Sequence, residues 1–169
     1  MDWNNILIVA SGKSKPIVVA LQNTIRHIEV DSKVYTCDAD PGLSSVCKAS
    51  EGSFAVPRLT SEDYMQVLQS ICLGNHVKVV IPTSERELPI LSANKDIFAK
   101  LGIHILAPDY EFVMRCKDNH HYNGYLESLG VDISTSGDIH NYETLVDKYF
   151  IKASFAEYVV KKYRLGEMV

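Results

Sequence analysis

A chain of 169 residues, 46% hydrophobic and 22% charged, has the length and balance of one globular domain with a buried core, which excludes a disordered or fibrous protein. Its net charge of −4, from 17 basic and 21 acidic residues, lacks the basic footprint that nucleic-acid binding requires. No run reaches the roughly 18 apolar residues of a membrane helix, and Met1-Asp2-Trp3-Asn4-Asn5 does not open a secretory signal, so a cytoplasmic protein is expected.

Residues 6–10 read as an apolar strand, followed by the polar turn Ser11-Gly12-Lys13-Ser14-Lys15. Pro16 opens a helix whose Val18, Val19, Leu21, Gln22 and Ile25 favour one face. Residues 34–37 form a second strand, ended by the breakers of Asp38-Ala39-Asp40-Pro41-Gly42, and residues 54–56 a third, stopped by Pro57. Thr60 or Ser61 is expected to cap a helix carrying Tyr64, Val67, Leu68 and Ile71, with Gly74 as its stop. A fourth strand over 77–81, a helix over 86–100 and a fifth strand over 103–106 follow.

This alternation predicts repeated right-handed βαβ units, hence an α/β fold: a Rossmann-like open parallel sheet of about five strands with helices on both faces. After Pro108 the texture changes. Residues 109–116 and 118–129 read as consecutive helices, and 130–134 and 149–152 as short strands around a helix over 142–148. A boundary is expected near residue 115, dividing the chain into 1–115 and 116–169.

The segment 77–91, Val-Lys-Val-Val-Ile-Pro-Thr-Ser-Glu-Arg-Glu-Leu-Pro-Ile-Leu, carries the most chemistry. A β-branched run empties into two hydroxyls and two carboxylates, and in parallel sheets ligands collect at the carboxyl ends of strands. Thr83, Ser84, Glu85 and Glu87 therefore stand where a small molecule is met. In the competing reading Thr83 or Ser84 caps the next helix, and Glu85 and Glu87 favour its positive end. Asp38 and Asp40, just past the second strand, are either hydrogen-bond acceptors for a ligand or turn formers whose carboxylates bond their own backbone.

Gly12-Lys13-Ser14 falls short of a phosphate loop, because the pattern wants a glycine at position 7 and finds Leu7; the dinucleotide glycine pattern fails as well. Ser11, Gly12 and the helix amides beyond them form either a modest anion site flanked by Lys13 and Lys15 or an ordinary solvated turn. The adjacent His120 and His121 point in different directions on a helix and chelate no metal. Cys37, Cys47, Cys72 and Cys116, with no C-x-x-C pair, read as structural reduced thiols.

In order and spacing, Ile6-Leu7-Ile8-Val9-Ala10-Ser11-Gly12, Lys33-Val34-Tyr35-Thr36-Cys37-Asp38-Ala39-Asp40-Pro41, Phe54-Ala55-Val56-Pro57, Tyr64, Val79-Val80-Ile81-Pro82-Thr83 with Glu87-Leu88, Leu101-Gly102-Ile103, and Cys116-Lys117-Asp118 through Leu129-Gly130 resemble the amino-terminal (pre-ATP-grasp) domain of ATP-grasp ligases. The group in question is similar to the carbamoyl-phosphate synthase large subunit. The resemblance spans residues 5–152 and implies a Rossmann-like domain that helps form the substrate pocket of a ligase joining a carboxylate to an amine through an acyl phosphate.

ATP and magnesium are implied for the complete family enzyme. Here the resemblance carries over Lys152, in Phe150-Ile151-Lys152, as the one nucleotide contact. Asn119 stands where the family usually has a basic residue, and Ala153-Ser154-Phe155-Ala156-Glu157-Tyr158 stands where a glycine-rich loop is expected. Residues 116–169 thus read as the partial start of an ATP-grasp subdomain, with residues 155–164 an amphipathic helix that docks on the sheet or awaits a partner.

The leading expectation is a truncated or split ligase domain, inactive alone and holding no cofactor by itself. It binds a carboxylate- or amine-bearing small molecule through Ser11, Gly12, Asp38, Asp40, Thr83, Glu85 and Glu87, with no catalytic residue or metal ligand of its own. A separate ATP-grasp catalytic chain or a second copy is its expected partner. The alternatives are a non-catalytic ligand-binding or protein-interaction module that kept the fold, and a complete small enzyme using the 83–87 edge.

Overall fold

The computed structural model describes residues 4–9, 15–27 and 31–117. Five strands, β1 (Asn5–Val9), β2 (Val34–Asp38), β3 (Gly52–Ala55), β4 (Val77–Pro82) and β5 (His104–Ile105), form one sheet in the order β3-β2-β1-β4-β5. Every neighbouring pair is parallel. The expected Rossmann-like sheet is present.

Strand direction and handedness then fix the layers. Moving from β1 outward to β2 and β3 places the connecting α1 (Lys15–His27) and the short 3-10 turn at Cys47–Ala49 on one face. The return from β3 to β4 and β5 runs the other way across the sheet. Its helices α2 (Tyr64–Gly74), α3 (Leu88–Ala93) and α4 (Lys95–Lys100) therefore cover the opposite face.

All five residues of β1 are buried, as a central strand between two helical layers requires. Ile6, Ile8, Val34, Val79 and Ile81 pack under α1 with Val18, Leu21 and Ile25. Leu7, Val9, Cys37, Val77 and Val80 pack under α2–α4 with Tyr64, Leu68, Cys72, Leu91 and Phe98. Each fully buried aliphatic side chain contributes about 1.5–3 kcal/mol, so the two faces of β1 anchor both layers. Val77 and Val80 share a face because the β1–β4 register slips by one residue at Lys78, from Asn5↔Val77 to Ile6↔Val79.

Asn5 joins three chain segments where β1 begins. Its side-chain amide donates to the Asn75 carbonyl at 2.7 Å and accepts from the Lys33 N–H at 2.9 Å, while only 4% of the residue is exposed.

Two local expectations are corrected. The single helix over 86–100 is two helices, broken at Asn94, whose side-chain amide turns back to the Ile90 carbonyl at 2.8 Å and whose backbone leaves helical geometry at φ −104°, ψ 5°. Neither Thr60 nor Ser61 caps α2: a turn occupies 58–63, the Tyr64 N–H donates to the Ser61 carbonyl, and the cap position falls on Asp63 without a side-chain bond. Gly74 does end α2, but the left-handed backbone that usually selects a terminal glycine is at His76, φ 51°.

Beyond β5, α5 (Tyr110–Lys117) begins where a helix over 109–116 was expected and packs against α3. The elements expected over 118–129, 130–134, 142–148, 149–152 and 155–164 lie outside the described residues.

Candidate functional site

In this sheet the connections leave β1 in one direction and β4 in the other, so the topological switch lies between these two central strands. Open α/β sheets form their ligand crevice at the carboxyl ends of such a pair. Those ends are Val9 and Pro82, which are partners in the ladder.

The loop after β4 is anchored across the switch. Pro82 has no N–H to give, and the Val9 carbonyl accepts a 2.6 Å hydrogen bond from the Thr83 hydroxyl. Thr83 therefore does not cap α3. Nor does Ser84: its hydroxyl accepts from the Arg86 N–H at 3.3 Å and its carbonyl from the Glu87 N–H at 3.1 Å, which makes a turn. The first bond of α3 runs from the Leu91 N–H to the Glu87 carbonyl, and Glu87 occupies the cap position without a side-chain cap bond. The cap reading of both hydroxyls is thereby corrected.

The tight turn separates the two acids. Glu85 is exposed, whereas Glu87 is largely buried and its Oε2 has no hydrogen-bond partner. Burial pushes the Glu87 carboxyl up to about 7, the Asp38 charge pushes it the same way, and the Ser84 backbone N–H opposes them.

Asp38, at the end of β2, is half-buried. Its Oδ1 accepts the Asp40 N–H at 3.2 Å, the backbone bond expected of a turn former, and Asp40 itself is exposed. One oxygen of Asp38 is thus engaged while its charge still reaches Glu87.

Two further groups complete this corner, and sequence reasoning assigned neither to a site. Tyr64, 3% exposed, opens α2, and its buried hydroxyl has no partner. Burial raises its ionisation above the usual phenol range, with the charges of Glu87 and Cys37 adding to that. The buried Cys37 thiol is likewise pushed well up by burial, then by the charges of Glu87, Cys72, Cys47 and Asp38. Cys37 is thus held as a neutral thiol, and so is Cys72, raised by burial to about 12.

A usable signal for Tyr64 existed. In a βα unit each helix starts at the carboxyl edge, where the preceding strand ends, so Tyr64 and Glu87, both at helix starts, share that edge.

The structure therefore brings Asp38, Thr83 and Glu87 to one corner, with Tyr64 and Cys37 as additional walls, and leaves Asp40 and Glu85 in solvent. Ser11, Gly12 and Lys152 lie outside the described residues. No group of three or more His, Cys, Asp or Glu side chains suited to a metal occurs among the described residues. No described helix is long and apolar enough to cross a membrane.

The all-parallel order β3-β2-β1-β4-β5, with a polar corner at its switch, defines a Rossmann-like domain. The chain belongs to the PylC-like N-terminal domain family, whose model matches residues 6–106. No curated protein matches it.

Among solved structures, the chain is similar to the biotin carboxylase domain of a single-chain bacterial carboxylase, with a TM-score of 0.53 at 11% identity over 94% of this chain and 39% of that one. It is similar to a biotin carboxylase from Campylobacter jejuni, with a TM-score of 0.52 at 17% identity over 76% and 28%. An L-amino acid ligase from Bacillus licheniformis matches with a TM-score of 0.52 at 14% identity over 78% and 32%. These likenesses show the shared fold. The chain spans between a quarter and two fifths of those proteins' lengths.

Proposed function

We propose that this chain is the substrate-side domain of an ATP-grasp carboxylate–amine ligase, and that the corner formed by Thr83, Glu87, Asp38 and Tyr64 receives a small substrate bearing an amine or a carboxylate. Membership of the PylC-like family and the fold shared with an L-amino acid ligase support the class. The narrower kinship with the carbamoyl-phosphate synthase large subunit rests on the ordered motifs of the sequence. The observation that carries the site is the conjunction of two buried, unpartnered oxygens, Tyr64 Oη and Glu87 Oε2, beside the switch between β1 and β4. Buried polar atoms normally have partners, and at a carboxyl edge a ligand supplies them.

The roles follow from geometry. Thr83 spends its hydroxyl proton on Val9 and so fixes the loop, leaving its oxygen lone pairs toward other donors. Glu87 and Asp38 accept hydrogen bonds, and the buried Tyr64 hydroxyl both donates and accepts. ATP supplies the phosphoryl group that activates a carboxylate in such ligases. The described residues offer no magnesium ligand set, so nucleotide and metal are assigned to other parts of the complete enzyme, with Lys152 as this chain's proposed contribution. Because Asn119 stands where such ligases usually carry a basic residue and no glycine-rich loop follows Lys152, the isolated chain is expected to leave ATP unhydrolysed.

A panel of amino acids, diamines and short carboxylates, followed by amide NMR on the whole chain, tests the reading. Saturable shifts are expected around Thr83, Glu87 and Tyr64. Shifts confined to other surfaces would reject the site.

A further inference from the structure

Resting on that reading, we propose that Tyr64, Glu87 and Asp38 form a subsite for a primary ammonium group, so that the substrate is an amino-bearing small molecule anchored by its nitrogen. The three residues reach one corner from three elements. Tyr64 comes from the start of α2, Glu87 from the start of α3 and Asp38 from the end of β2, with α2 and α3 on the same face of the sheet.

Two oxygens there are buried and unpartnered, one of them on a side chain only 3% exposed. Glu87 Oε2 lacks a donor, and the Tyr64 hydroxyl, which can give one bond and take another, lacks both partners. A primary ammonium carries three N–H donors and one positive charge on a single small centre, so it can bond Glu87 Oε2 and the Tyr64 oxygen together while facing Asp38. A carboxylate in the same place would add a third negative charge to Glu87 and Asp38 and offer acceptors where acceptors already outnumber donors. A neutral hydroxyl brings one donor and leaves the charges unbalanced.

The charge environment agrees. Among the described residues, the influences on Glu87 are burial, Asp38 and the Ser84 N–H, none of them a cation, and the Tyr64 hydroxyl and Cys37 thiol that its charge reaches are neutral at physiological pH. With its carboxyl near 7, Glu87 is mostly protonated at pH 5.5 and mostly ionised at pH 8, so ammonium affinity rises with pH across this window.

The test uses the whole chain with n-propylammonium and propionate as matched probes, read by the side-chain carboxyl carbon of Glu87 and the ring signals of Tyr64. Propylammonium is expected to shift both saturably, to bind at least fivefold tighter at pH 8 than at pH 5.5, and to lower the Glu87 titration midpoint. Glu87→Gln should weaken it at least tenfold and Tyr64→Phe about threefold to tenfold, with amide spectra showing that both variants are folded; Asp31→Asn, an exposed change just before β2 at the opposite edge of the sheet, should leave it unchanged. Equal weakening by Asp31→Asn and Glu87→Gln would mean diffuse charge attraction and overturn the subsite. Preferential binding of propionate at Glu87 and Tyr64 would overturn the ammonium assignment while leaving the substrate edge in place. Silence with both probes and with the wider panel would remove both readings.

Discussion

Thr83 and Val9, 74 positions apart in the chain, are joined by a 2.6 Å hydrogen bond from the threonine hydroxyl to the valine carbonyl. The bond crosses the boundary between the two halves of the sheet and sets the height at which the loop carrying Glu87 leaves β4. Thr83→Val keeps the shape and removes the donor, stranding a carbonyl at the end of a buried strand. A loss of about 1–2 kcal/mol in chemical denaturation is expected, with Thr83→Ser losing less than half of that. Equal stability of the valine variant would show that the Val9 carbonyl finds another donor.

Glu87 makes stability depend on pH with a definite sign. Its carboxyl titrates at about 7 in the folded chain and at about 4.5 when unfolded. Between those values the folded state holds the extra proton, so stability is greatest below the unfolded value, falls as pH rises from about 4.5 to 7, and levels off above. The difference is on the order of 1–3 kcal/mol after allowance for the exposed part of the side chain. Glu87→Gln should flatten this part of the curve, measured by denaturant titration from pH 4.5 to 8; an unchanged slope would assign the dependence to another group.

Tyr64→Phe separates binding from folding. Removing a buried hydroxyl that has no partner costs nothing in lost hydrogen bonds, so the variant should melt within about 0.5 kcal/mol of the parent or slightly above it. The neighbouring Leu68→Ala, a truncation in the same core layer, should cost about 2–5 kcal/mol. A large loss for Tyr64→Phe would reveal a structural bond from the hydroxyl.

Asn5→Ala should destabilise the chain by about 2–3 kcal/mol, because one buried amide serves both the Lys33 N–H and the Asn75 carbonyl. Hydrogen exchange should quicken at Lys33, whose N–H loses its acceptor. Unaltered exchange there would contradict the joint.

Lys95 donates to the Ala107 carbonyl at 2.7 Å and to Asp109 Oδ1 at 3.0 Å, tying the start of α4 to the segment that leads into α5. Asp109 is 90% exposed, so Asp109→Asn should cost less than about 0.5 kcal/mol and Lys95→Met about 1 kcal/mol, as read by thermal melts at low and moderate salt. The reverse ranking would make the ion pair, rather than the carbonyl bond, the fastening.

The α/β architecture was legible in the sequence because strands buried on both faces must be continuous apolar runs, as in residues 6–9 and 79–81, and because the helices between them repeat their apolar residues every three or four positions. The carboxyl edge was legible too, since parallel strands bring every strand end to one side. Local choices were not. A hydroxyl beside a helix start has several partners within reach, and Thr83 went to Val9 only because the strand order sets β4 against β1. Asn94 broke the 86–100 helix through a side-chain bond that competes with the helical ladder, which hydrophobic spacing does not register. Burial divided Glu87 from Glu85, two residues apart and chemically alike, according to which side of a tight turn faced the sheet. Tyr64 gained its place from the crossing of α2 over the sheet. The periodicity of the apolar residues specifies the layers, but which polar atoms lose water without gaining a partner is set by the packing of distant segments, because desolvation depends on everything around an atom.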